Sequence, residues 1–294
     1  MWLADKWKDY EVIDCSRGEK LERWGKYLLV RPDPQVIWDT PKQEKGWKRM
    51  NGHYHRSSKG GGEWEFFDLP QEWTIHYPLP ISKELTFHLK PFSFKHTGLF
   101  PEQAANWNWF STLIADAVKS GRPVKVLNLF AYTGGATIAA AAAGASVTHV
   151  DASKGMVTWA KENAVSSGLK DAPIRWLVDD CVKFVEREIR RGNHYDAIIM
   201  DPPSYGRGPK GEIWKIEESV YPLIQLCSQI LTDDPLFFLI NSYTTGLQPA
   251  VLSYMMHTVL GKYNGTITAE EIGLPVSSNG LVLPCGASGR FQAK

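Results

Sequence analysis

A glycine-bearing turn between two regular segments is the first feature whose residue types could do chemistry. It runs from Val126 to Thr137 with the sequence VLNLFAYTGGAT, in which an apolar segment leads directly into an alanine-rich one. Gly134 and Gly135 have no Cβ, so a ligand can approach the backbone closely at this turn. The spacing is neither the GxGxxG of dinucleotide-binding proteins nor a Walker A loop, because no Gly-Lys-Ser/Thr follows. Taken alone, the turn is equally consistent with a tight connection whose glycines serve packing.

Acidic residues follow the next two apolar segments. Asp151 ends the segment SVTHVD, and Asp180 lies in the segment VDDC. In an open α/β sheet, ligands bind at the carboxyl ends of strands, where a carboxylate can accept hydrogen bonds from ribose hydroxyls or an adenine amino group. Helix capping by Asp151, Ser153 or Asp180 is the alternative. Together with the glycine turn, the two acidic segment ends predict a nucleoside site.

A fourth apolar segment ends in Asp201, Pro202, Pro203, Ser204 and Tyr205. Two consecutive prolines make a stiff turn that lacks two backbone N–H donors. We expect such a turn to leave its carbonyl oxygens and the Asp201 carboxylate free to accept hydrogen bonds. The aromatic ring of Tyr205 can stack on a planar base. Taken alone, this segment is more typical of a rigid structural turn.

The elements that must position these residues alternate between strands and helices from residue 91 onward. Strands are predicted at 125–130, 146–150, 174–178, 195–200 and 236–241, with further strands at 266–272 and 280–283. Helices are predicted at 103–120, 135–143, 153–167, 181–191, 217–231 and 249–260. Apolar strands that alternate with helices of this length indicate a mostly parallel, doubly wound sheet covered on both faces, as in Rossmann-like folds.

Residues 1–90 have a different character, since they are rich in Trp, Pro and Gly and poor in helical periodicity. Short strands are predicted at 27–30, 36–38, 64–67, 73–77 and 85–89, and the SSKGGG segment at 57–62 is predicted to be a loop or hairpin tip. We therefore expect a small β-rich N-terminal domain or extension at 1–90 and an α/β domain at 91–294.

Composition limits the class of protein. The chain has 294 residues, 43% hydrophobic and 22% charged, which is an ordinary globular balance. A formal net charge of +1 argues against wholesale wrapping of nucleic acid, although a local basic patch remains compatible with it. The four cysteines form no CxxC pair, and His53 and His55 have no matching carboxylate cluster, so no metal site is expected. The N-terminus lacks an apolar run and no membrane span is expected, so the prediction is a cytoplasmic protein without membrane association.

The segments LNLFAYTGGAT, VDASKGMVTWAKENA, VDDCVKFV and DPPSYG, in that order, resemble class I S-adenosylmethionine-dependent methyltransferases. The resemblance is to the family that includes bacterial large-subunit ribosomal RNA base methyltransferases. The stretch KHTGLFPEQ at 95–103 is also similar to that family's segment before the catalytic core. The likeness covers about residues 92–245 and fades over 1–90 and at the C-terminal end.

The resemblance implies S-adenosylmethionine as the cofactor and a role for each segment. It implies that the glycine turn holds the methionine end, that Asp151 binds the ribose, and that Asp180 faces the adenine. Residues 95–103 would close over the cofactor from the N-terminal side. The implied cofactor-binding residues are Lys95, Thr97, Phe100, Gln103, Phe130, Tyr132, Thr133, Gly134, Gly135, Asp151, Ser153, Asp180 and Cys181. The implied catalytic residues, facing the methyl acceptor, are Asp201, Pro202, Pro203 and Tyr205.

One departure from the family pattern bears on the reaction. Members that methylate C5 of cytosine use a cysteine nucleophile, because that carbon must be activated by a covalent adduct. The corresponding place after strand 236–241 reads NSYTTG and has no cysteine. Cys181 lies on the presumed adenine side, Cys227 in a predicted helix, and Cys285 in a C-terminal segment that would have to fold back. We therefore expect direct displacement onto a nitrogen, in which Asp201 accepts a hydrogen bond and Tyr205 stacks.

The prediction is an RNA-base methyltransferase with ribosomal RNA favoured as the partner. The basic residues Arg207, Lys210 and Lys215 are candidates for contacts with substrate phosphates. A methyltransferase for a small molecule or a protein is the first alternative, because a fold does not dictate its substrate. A noncatalytic module that only binds the cofactor is the second. A nicotinamide dehydrogenase is less compatible with the glycine spacing, and the sequence leaves the oligomeric state open.

Overall fold

The computed structural model describes residues 1–92, 94–207 and 211–294. The N-terminal region is built from short strands. They are β1 (Trp2–Leu3), β2 (Tyr10–Ser16), β3 (Glu19–Trp24), β4 (Tyr27–Pro32), β5 (Gly52–Arg56), β6 (Gly62–Phe66), β7 (Trp73–Leu79) and β8 (Lys83–Leu89). Strands β2 to β6 form one sheet in sequence order, in which only the β4–β5 pair is parallel among the described residues. Strands β7 and β8 form a separate antiparallel hairpin.

Four of the strands predicted in this region are confirmed as parts of β4, β6, β7 and β8, and the SSKGGG segment connects β5 to β6. The prediction of a strand at 36–38 is wrong. The Val36 and Trp38 carbonyls accept hydrogen bonds from the Gly18 and Arg17 N–H groups at the β2–β3 turn, and no ladder forms. Strands β2, β3 and β5 were not predicted, because charged residues interrupt the apolar alternation that marks a strand.

The remainder of the chain alternates helices and strands, and its elements follow in chain order. They are α1 (Ala104–Lys119), β9 (Lys125–Leu129), α2 (Gly135–Ala142), β10 (Ser146–Asp151), α3 (Lys154–Ser166), β11 (Ile174–Val178), α4 (Cys181–Arg191), β12 (Ala197–Met200), β13 (Tyr205–Arg207), β14 (Ile213–Lys215), α5 (Ile216–Ser228), β15 (Phe237–Ser242), α6 (Pro249–Leu260), β16 (Gly265–Pro275) and β17 (Val282–Ala293). Short 3₁₀ turns lie at Lys45–Lys48 and Pro101–Gln103.

The central sheet has the strand order β1-β16-β17-β15-β12-β9-β10-β11. Strands β9, β10, β11, β12 and β15 are mutually parallel, whereas β17 runs antiparallel to both β15 and β16. This architecture confirms the prediction of a mostly parallel, Rossmann-like sheet accompanied by a β-rich N-terminal region. The last strand is much longer than the predicted 280–283, and the β13–β14 hairpin was not predicted.

The parallel register places several strand ends at one edge of the sheet. Leu129 at the end of β9 is opposite Val150 of β10 and Met200 of β12. Met200 is in turn opposite Ile240 of β15. The turns that follow these strands, at 130–134, 151–153, 179–181, 201–204 and 243–246, therefore meet at the same edge. The sheet is buried on both faces, where for example Phe110 of α1 stacks on Phe237 with ring centroids 5.6 Å apart.

Contacts between the N-terminal region and the rest of the chain are extensive. Strand β1 adds to the edge of the central sheet by pairing with β16. Trp7 packs against both Tyr77 of the β7–β8 hairpin and Trp107 of α1. The His88 N–H donates to Asn163 of α3 at 2.8 Å. A domain boundary near residue 90 stays a prediction.

Candidate active site

The glycine turn after β9 has an unusual backbone. Phe130, Tyr132 and Gly134 all have positive φ angles, 54°, 52° and 80°. A Cβ on Gly134 would lie 2.8 Å from the Ala160 Cβ of α3, and a Cβ on Gly135 would lie 2.8 Å from Cζ2 of Trp107. Both glycines therefore allow two helices to pack closely on the turn. The alternative that these glycines serve packing therefore accounts for Gly134 and Gly135. The turn itself lies, as expected, at the edge of the sheet where the parallel strands have their carboxyl ends.

Asp151 at the end of β10 holds the glycine turn in place. The Tyr132 N–H donates to its Oδ2 and the Ser153 N–H to its Oδ1, both at 2.8 Å. Burial raises the pKa of this carboxyl, and the two N–H donors oppose that change. Each carboxylate oxygen has a second lone pair, so the pair can still accept hydrogen bonds from two hydroxyls. The helix cap belongs to Ser153, whose Oγ accepts the Met156 N–H at 3.4 Å.

The third strand end combines a helix cap with a cavity wall. Asp180 is the N-cap of α4 and its Oδ1 accepts the Lys183 N–H at 2.8 Å, so the capping interpretation is correct for this residue. Cys181 is buried, and its Sγ accepts the Phe130 N–H at 3.2 Å. Burial raises the pKa of the Cys181 thiol above its usual range, so the side chain is a neutral structural group.

The turn after β12 differs in part from the prediction. Burial, together with the nearby charge of Glu102, raises the pKa of Asp201 to about 7. The Pro203 carbonyl is not free, because it accepts the indole N–H of Trp214 at 2.6 Å. Tyr205 lies in β13 with 51% of its surface exposed, and its hydroxyl accepts from Nε of Arg207 at 2.8 Å. The structure thus brings Asp201 into the site but leaves the Tyr205 ring in solvent.

The segment before α1 contributes unequally. Lys95 points toward the N-terminal region, where its Nζ donates to the Pro32 carbonyl at 2.9 Å, and burial beside Lys20 lowers its pKa to about 8. The rings of Phe100 and Tyr132 pack together with their centroids 5.2 Å apart. The Thr97 hydroxyl is buried and has no hydrogen-bond partner within the part of the chain that the structure describes. An unpartnered buried hydroxyl is a candidate for bonding a ligand.

Gln103 and Thr133 anchor this segment to the rest of the site. The Gln103 Nε2 donates to the Tyr243 hydroxyl at 2.7 Å. The Thr133 hydroxyl donates to the Gly98 carbonyl at 2.6 Å, which ties the segment directly to the glycine turn. The close approach is possible because Gly98 has φ 101° and lies against Trp159.

A cavity of about 390 Å³ lies at this edge of the sheet, within the size range typical of ligand sites. Its lining residues are His96, Phe100, Phe130, Tyr132, Asp151, Ala152, Asp180, Cys181, Asp201, Pro202, Pro203, Ser204 and Tyr243. A smaller cavity of about 50 Å³ adjoins it and includes Gln103, Thr133 and Gly135. Of the predicted site residues, Lys95, Thr97, Gly134, Ser153 and Tyr205 lie outside both linings.

His96, Glu102 and Tyr243 were not predicted as site residues from the sequence. Burial and the nearby Arg31 lower the pKa of His96 to about 4, so the ring is neutral at physiological pH. Tyr243 directly follows β15, and its position at a strand end was the signal that could have identified it. Glu102 is buried, and that burial raises the pKa of its carboxyl. The sequence offers no comparable signal for Glu102.

Other predictions concern metal ions and substrate phosphates. Across residues 1–92, 94–207 and 211–294, no three His, Cys, Asp or Glu side chains are grouped as metal ligands. Of the basic residues after the DPPSY turn, Lys215 pairs with Glu218 at 3.0 Å. Lys210 lies outside the described residues. No helix in the described chain is long and apolar enough to cross a membrane.

Comparisons with known proteins decide the family. A family model for S-adenosylmethionine-dependent methyltransferases matches residues 68–212. The crystal structure of the S-adenosylmethionine-dependent methyltransferase from Agrobacterium tumefaciens is 34% identical in sequence and superposes with a TM-score of 0.91. The match covers 99% of this chain and 93% of that chain. The chain belongs to the S-adenosylmethionine-dependent methyltransferases. The methyltransferase is therefore an enzyme whose cofactor is S-adenosylmethionine, and the family resemblance drawn from the sequence is confirmed.

Curated relatives are longer than the methyltransferase. "Ribosomal RNA large subunit methyltransferase K/L" of Pseudoalteromonas atlantica is 36% identical in an alignment 252 positions long, which covers 76% of this chain and 33% of that protein. The protein of the same name from Shewanella frigidimarina is 34% identical in an alignment 148 positions long, which covers 48% of this chain and 20% of that protein. The chain thus spans a third or less of these two relatives. A Streptococcus mutans chain, 18% identical with a TM-score of 0.74 over 98% of this chain and 76% of that one, shares the fold alone.

The cavity fits an adenosyl cofactor. The Asp151 carboxylate lines it and retains acceptor capacity for two ribose hydroxyls. Aromatic rings of Phe100, Phe130 and Tyr132 provide apolar walls. The orphaned Thr97 hydroxyl lies in the segment that packs over the glycine turn. These donor and acceptor types match those of a nucleoside carrying an amino-acid tail.

Proposed function

We propose that the methyltransferase transfers a methyl group to a nitrogen atom of an RNA base, with ribosomal RNA as the favoured substrate. The single observation that carries the proposal is Asp201, a half-buried residue of the DPPS turn whose carboxyl group lines the cofactor-sized cavity. Such a group can accept the proton of an amino acceptor. The names of the curated relatives support ribosomal RNA as the substrate class, and ribosomal RNA would place the enzyme in the cytoplasm.

S-adenosylmethionine, when bound, supplies an electrophilic methyl group on its sulfonium. In this proposal Asp151 binds the ribose hydroxyls, while Asp180 and the Cys181 backbone face the adenine. The turn at 130–135, with Ser153 beside Asp151, places the methionine end, and Lys95, Thr97, Phe100 and Gln103 close the site from the N-terminal side. The protein contributes mainly positioning and exclusion of water, because displacement at a sulfonium methyl requires no strong base.

Asp201, Pro202 and Pro203 face the acceptor in this proposal. The Asp201 carboxylate accepts a hydrogen bond from the amino group and takes up the proton that this group releases as the N–C bond forms. The prolines fix the turn so that the carboxyl stays in place. The role predicted for Tyr205 requires its ring to move from solvent toward the cavity.

Cysteine chemistry is disfavoured by the state of the thiols. Burial raises the pKa of Cys181, Cys227 and Cys285, so none of the three is a ready thiolate at neutral pH. The fourth cysteine, Cys15, is buried in the N-terminal sheet, and its pKa is raised to about 11, mainly by burial. Since an adduct at C5 of cytosine requires a thiolate nucleophile, direct attack by a nitrogen is the chemistry that these residues favour.

The division into a β-rich unit at 1–90 and a catalytic unit at 91–294 is part of the proposal. Two hydrogen bonds between the units support this as a functional arrangement. In one of them Nζ of Lys95 donates to the Pro32 carbonyl of the N-terminal unit. The Arg31 guanidinium donates to the Lys95 carbonyl at 2.9 Å. The N-terminal unit is thereby joined to the segment that closes over the cofactor, and we propose that it helps to present RNA to the site.

Transfer of a tritiated methyl group from S-adenosylmethionine tests the proposal. The purified enzyme is incubated in parallel with transcribed large-subunit ribosomal RNA, a cytosolic protein fraction and a small-molecule extract. We expect label in the RNA, and its loss in Asp201→Asn, which keeps the size of the side chain but cannot take up a proton. Label confined to protein or small molecules would refute RNA as the substrate, and no label despite tight cofactor binding would indicate a binding module.

A further inference from the structure

Tyr243 lies at the far end of the cavity from Asp151 and Asp180, the residues assigned to the ribose and the adenine. The sheet order β11-β10-β9-β12-β15 fixes the sequence of strand ends along this edge. The cavity accordingly runs from Asp180 and Asp151, past Tyr132, to Asp201 and finally to Tyr243 after β15. Tyr243 is thus beyond Asp201, on the side that is left for the acceptor.

Tyr243 also borders a second cavity of about 190 Å³. That space is lined by residues of the loop after β15 and by Gln35, Glu271, Pro284, Gly286 and Ala287. Polar residues of the loop, among them Ser242, Thr244 and Gln248, make it a hydrophilic space. The tyrosine ring therefore separates the cofactor cavity from a polar space large enough to admit part of a substrate.

The hydroxyl of Tyr243 is held by a neighbouring side chain. It accepts a hydrogen bond from Nε2 of Gln103 at 2.7 Å. Burial raises the pKa of this hydroxyl, and the nearby carboxyl group of Glu102 raises it further. The hydroxyl is consequently fixed, and the part of Tyr243 that remains for a ligand is its ring.

A chain of hydrogen bonds from Arg290 fixes the orientation of Gln103. Arg290 can only donate, and its Nε and Nη2 donate to Oδ1 of Asn106 at 2.9 and 2.7 Å. The Asn106 amide must then present its NH₂ group on the other side, where it donates to Oε1 of Gln103 at 2.9 Å. This in turn directs the Gln103 NH₂ group to Tyr243. Arg290 is itself buried and lies between the rings of Trp2 and Trp109.

The ring of Tyr243 is held against Phe100, with centroids 5.6 Å apart and planes tilted by 33°. The two rings are too close together for a base to insert between them, so a base that stacks on Tyr243 would use the face turned away from Phe100. Tyr205, in contrast, projects into solvent from the β13–β14 hairpin. Its hydroxyl contacts only the side chain of its neighbour Arg207 among the described residues.

We propose that Tyr243, rather than Tyr205, provides the aromatic surface on which the acceptor base stacks, and that Arg290, Asn106 and Gln103 position its ring. The proposal rests on the proposed function, since it assumes that a planar base enters the acceptor side. The hydrogen bond from Gln103 holds the hydroxyl, which limits rotation of the ring. A ring that is already fixed loses little conformational entropy when a base stacks on it.

The test measures RNA binding by the full-length enzyme saturated with S-adenosylhomocysteine. The probe is a fluorescein-labelled, single-stranded RNA of about 12 nucleotides and mixed sequence, at about 0.2 M salt to weaken phosphate contacts. Stacking on an aromatic side chain contributes roughly 1–3 kcal/mol per base, which corresponds to about a 5- to 150-fold change in Kd. We expect a change of this size for Tyr243→Ala and for Tyr243→Leu, which keeps apolar bulk without an aromatic face.

Two variants provide controls for this measurement. Tyr243→Phe retains the ring but loses the hydrogen bond from Gln103, and we expect its Kd to rise by no more than about threefold. Tyr205→Ala removes an exposed aromatic side chain, and we expect wild-type binding. Titration with S-adenosylhomocysteine and a thermal melt identify any variant that fails to fold, and Tyr243→Leu is included because its bulk protects the packing.

Three results would overturn the inference: no RNA binding by the wild type, equal binding by Tyr243→Leu and the wild type, or a loss in Tyr205→Ala as large as in Tyr243→Leu. Failure of the proposed function has a different signature. RNA that binds through Tyr243 but receives no methyl group would refute base methylation and leave the inference intact. RNA that is methylated, and that the wild type and Tyr243→Leu bind with equal affinity, would refute the inference alone.

Discussion

The pH dependence of methyl transfer follows from the burial of Asp201. An exposed aspartate has a pKa near 4, whereas burial and the charge of Glu102 raise the pKa of Asp201 to about 7. Only the carboxylate can take up the proton of the acceptor, so the rate should rise with pH. A single group with this pKa is about one-tenth ionised at pH 6 and about nine-tenths at pH 8. We therefore predict roughly a tenfold increase in kcat/KM over this interval.

The assay is initial-rate transfer of tritiated methyl groups to RNA between pH 5.5 and 9, at saturating S-adenosylmethionine. The matched variant is Glu102→Gln, which removes the neighbouring negative charge but keeps the shape. Because that charge helps to raise the pKa of Asp201, its loss should move the rise in rate to lower pH. A flat profile for the wild type would show that Asp201 does not accept the proton. An unchanged midpoint in Glu102→Gln would show that the charge of Glu102 does not act on Asp201.

The remaining predictions concern the cofactor, the turn and the fold. Asp151→Ala should weaken S-adenosylhomocysteine binding about tenfold or more in calorimetry, since hydrogen bonds to a charged group contribute roughly 1.5–3 kcal/mol each; Asp179→Ala, at a residue outside the cavity lining, should not. Gly134→Ala should lower the free energy of unfolding by about 1–3 kcal/mol in a denaturant titration, because φ is 80° and the new Cβ would clash; Gly168→Ala, with φ 74° and open space, should cost less. Burial opposes ionisation of Glu22, but Arg31 and Lys20 lower its pKa to about 2. The stabilising effect of the Glu22 carboxylate is therefore complete above pH 4.5 and is lost as the pH falls toward 2. Glu22→Gln should flatten the acid part of the curve of unfolding free energy against pH. Binding of S-adenosylhomocysteine by Asp151→Ala as tightly as by the wild type would contradict the role of Asp151. Equal stability of Gly134→Ala and Gly168→Ala would contradict the predicted clash, and a Glu22→Gln stability curve that falls at acid pH as in the wild type would contradict the effect of Glu22.

The order of strands and helices in the catalytic part could be read from the sequence because its strands are buried on both faces and its helices are amphipathic. Strand 174–178 and helices 181–191 and 249–260 have the predicted bounds. The N-terminal sheet was harder to predict. Strand β3, for example, carries Glu22 at a buried position, where the carboxylate is neutralised by Arg31 in another strand. A charge whose partner lies elsewhere in the fold gives no apolar alternation to read.

The residues of the candidate site also divide into those that the sequence predicts and those that it does not. Asp151, Asp180 and Asp201 could be predicted because each follows an apolar strand, and parallel strands end at one edge. The position of Tyr205 depended on a hairpin that the sequence did not reveal. Tyr243 and Gln103 meet only because β15 and the turn before α1 converge, through a contact between residues 140 positions apart. Such side-chain geometry depends on tertiary packing, which motif spacing does not specify.

The chemical identity of the methylated nucleoside tests the central claim most directly. Large-subunit ribosomal RNA is methylated by the enzyme with tritiated S-adenosylmethionine, digested to nucleosides, and separated by chromatography with mass-spectrometric detection. Transfer to an N-methylated nucleoside, abolished by Asp201→Asn, is the predicted result. Label in 5-methylcytidine would contradict nitrogen chemistry, and label absent from every nucleoside would contradict RNA-base methylation itself.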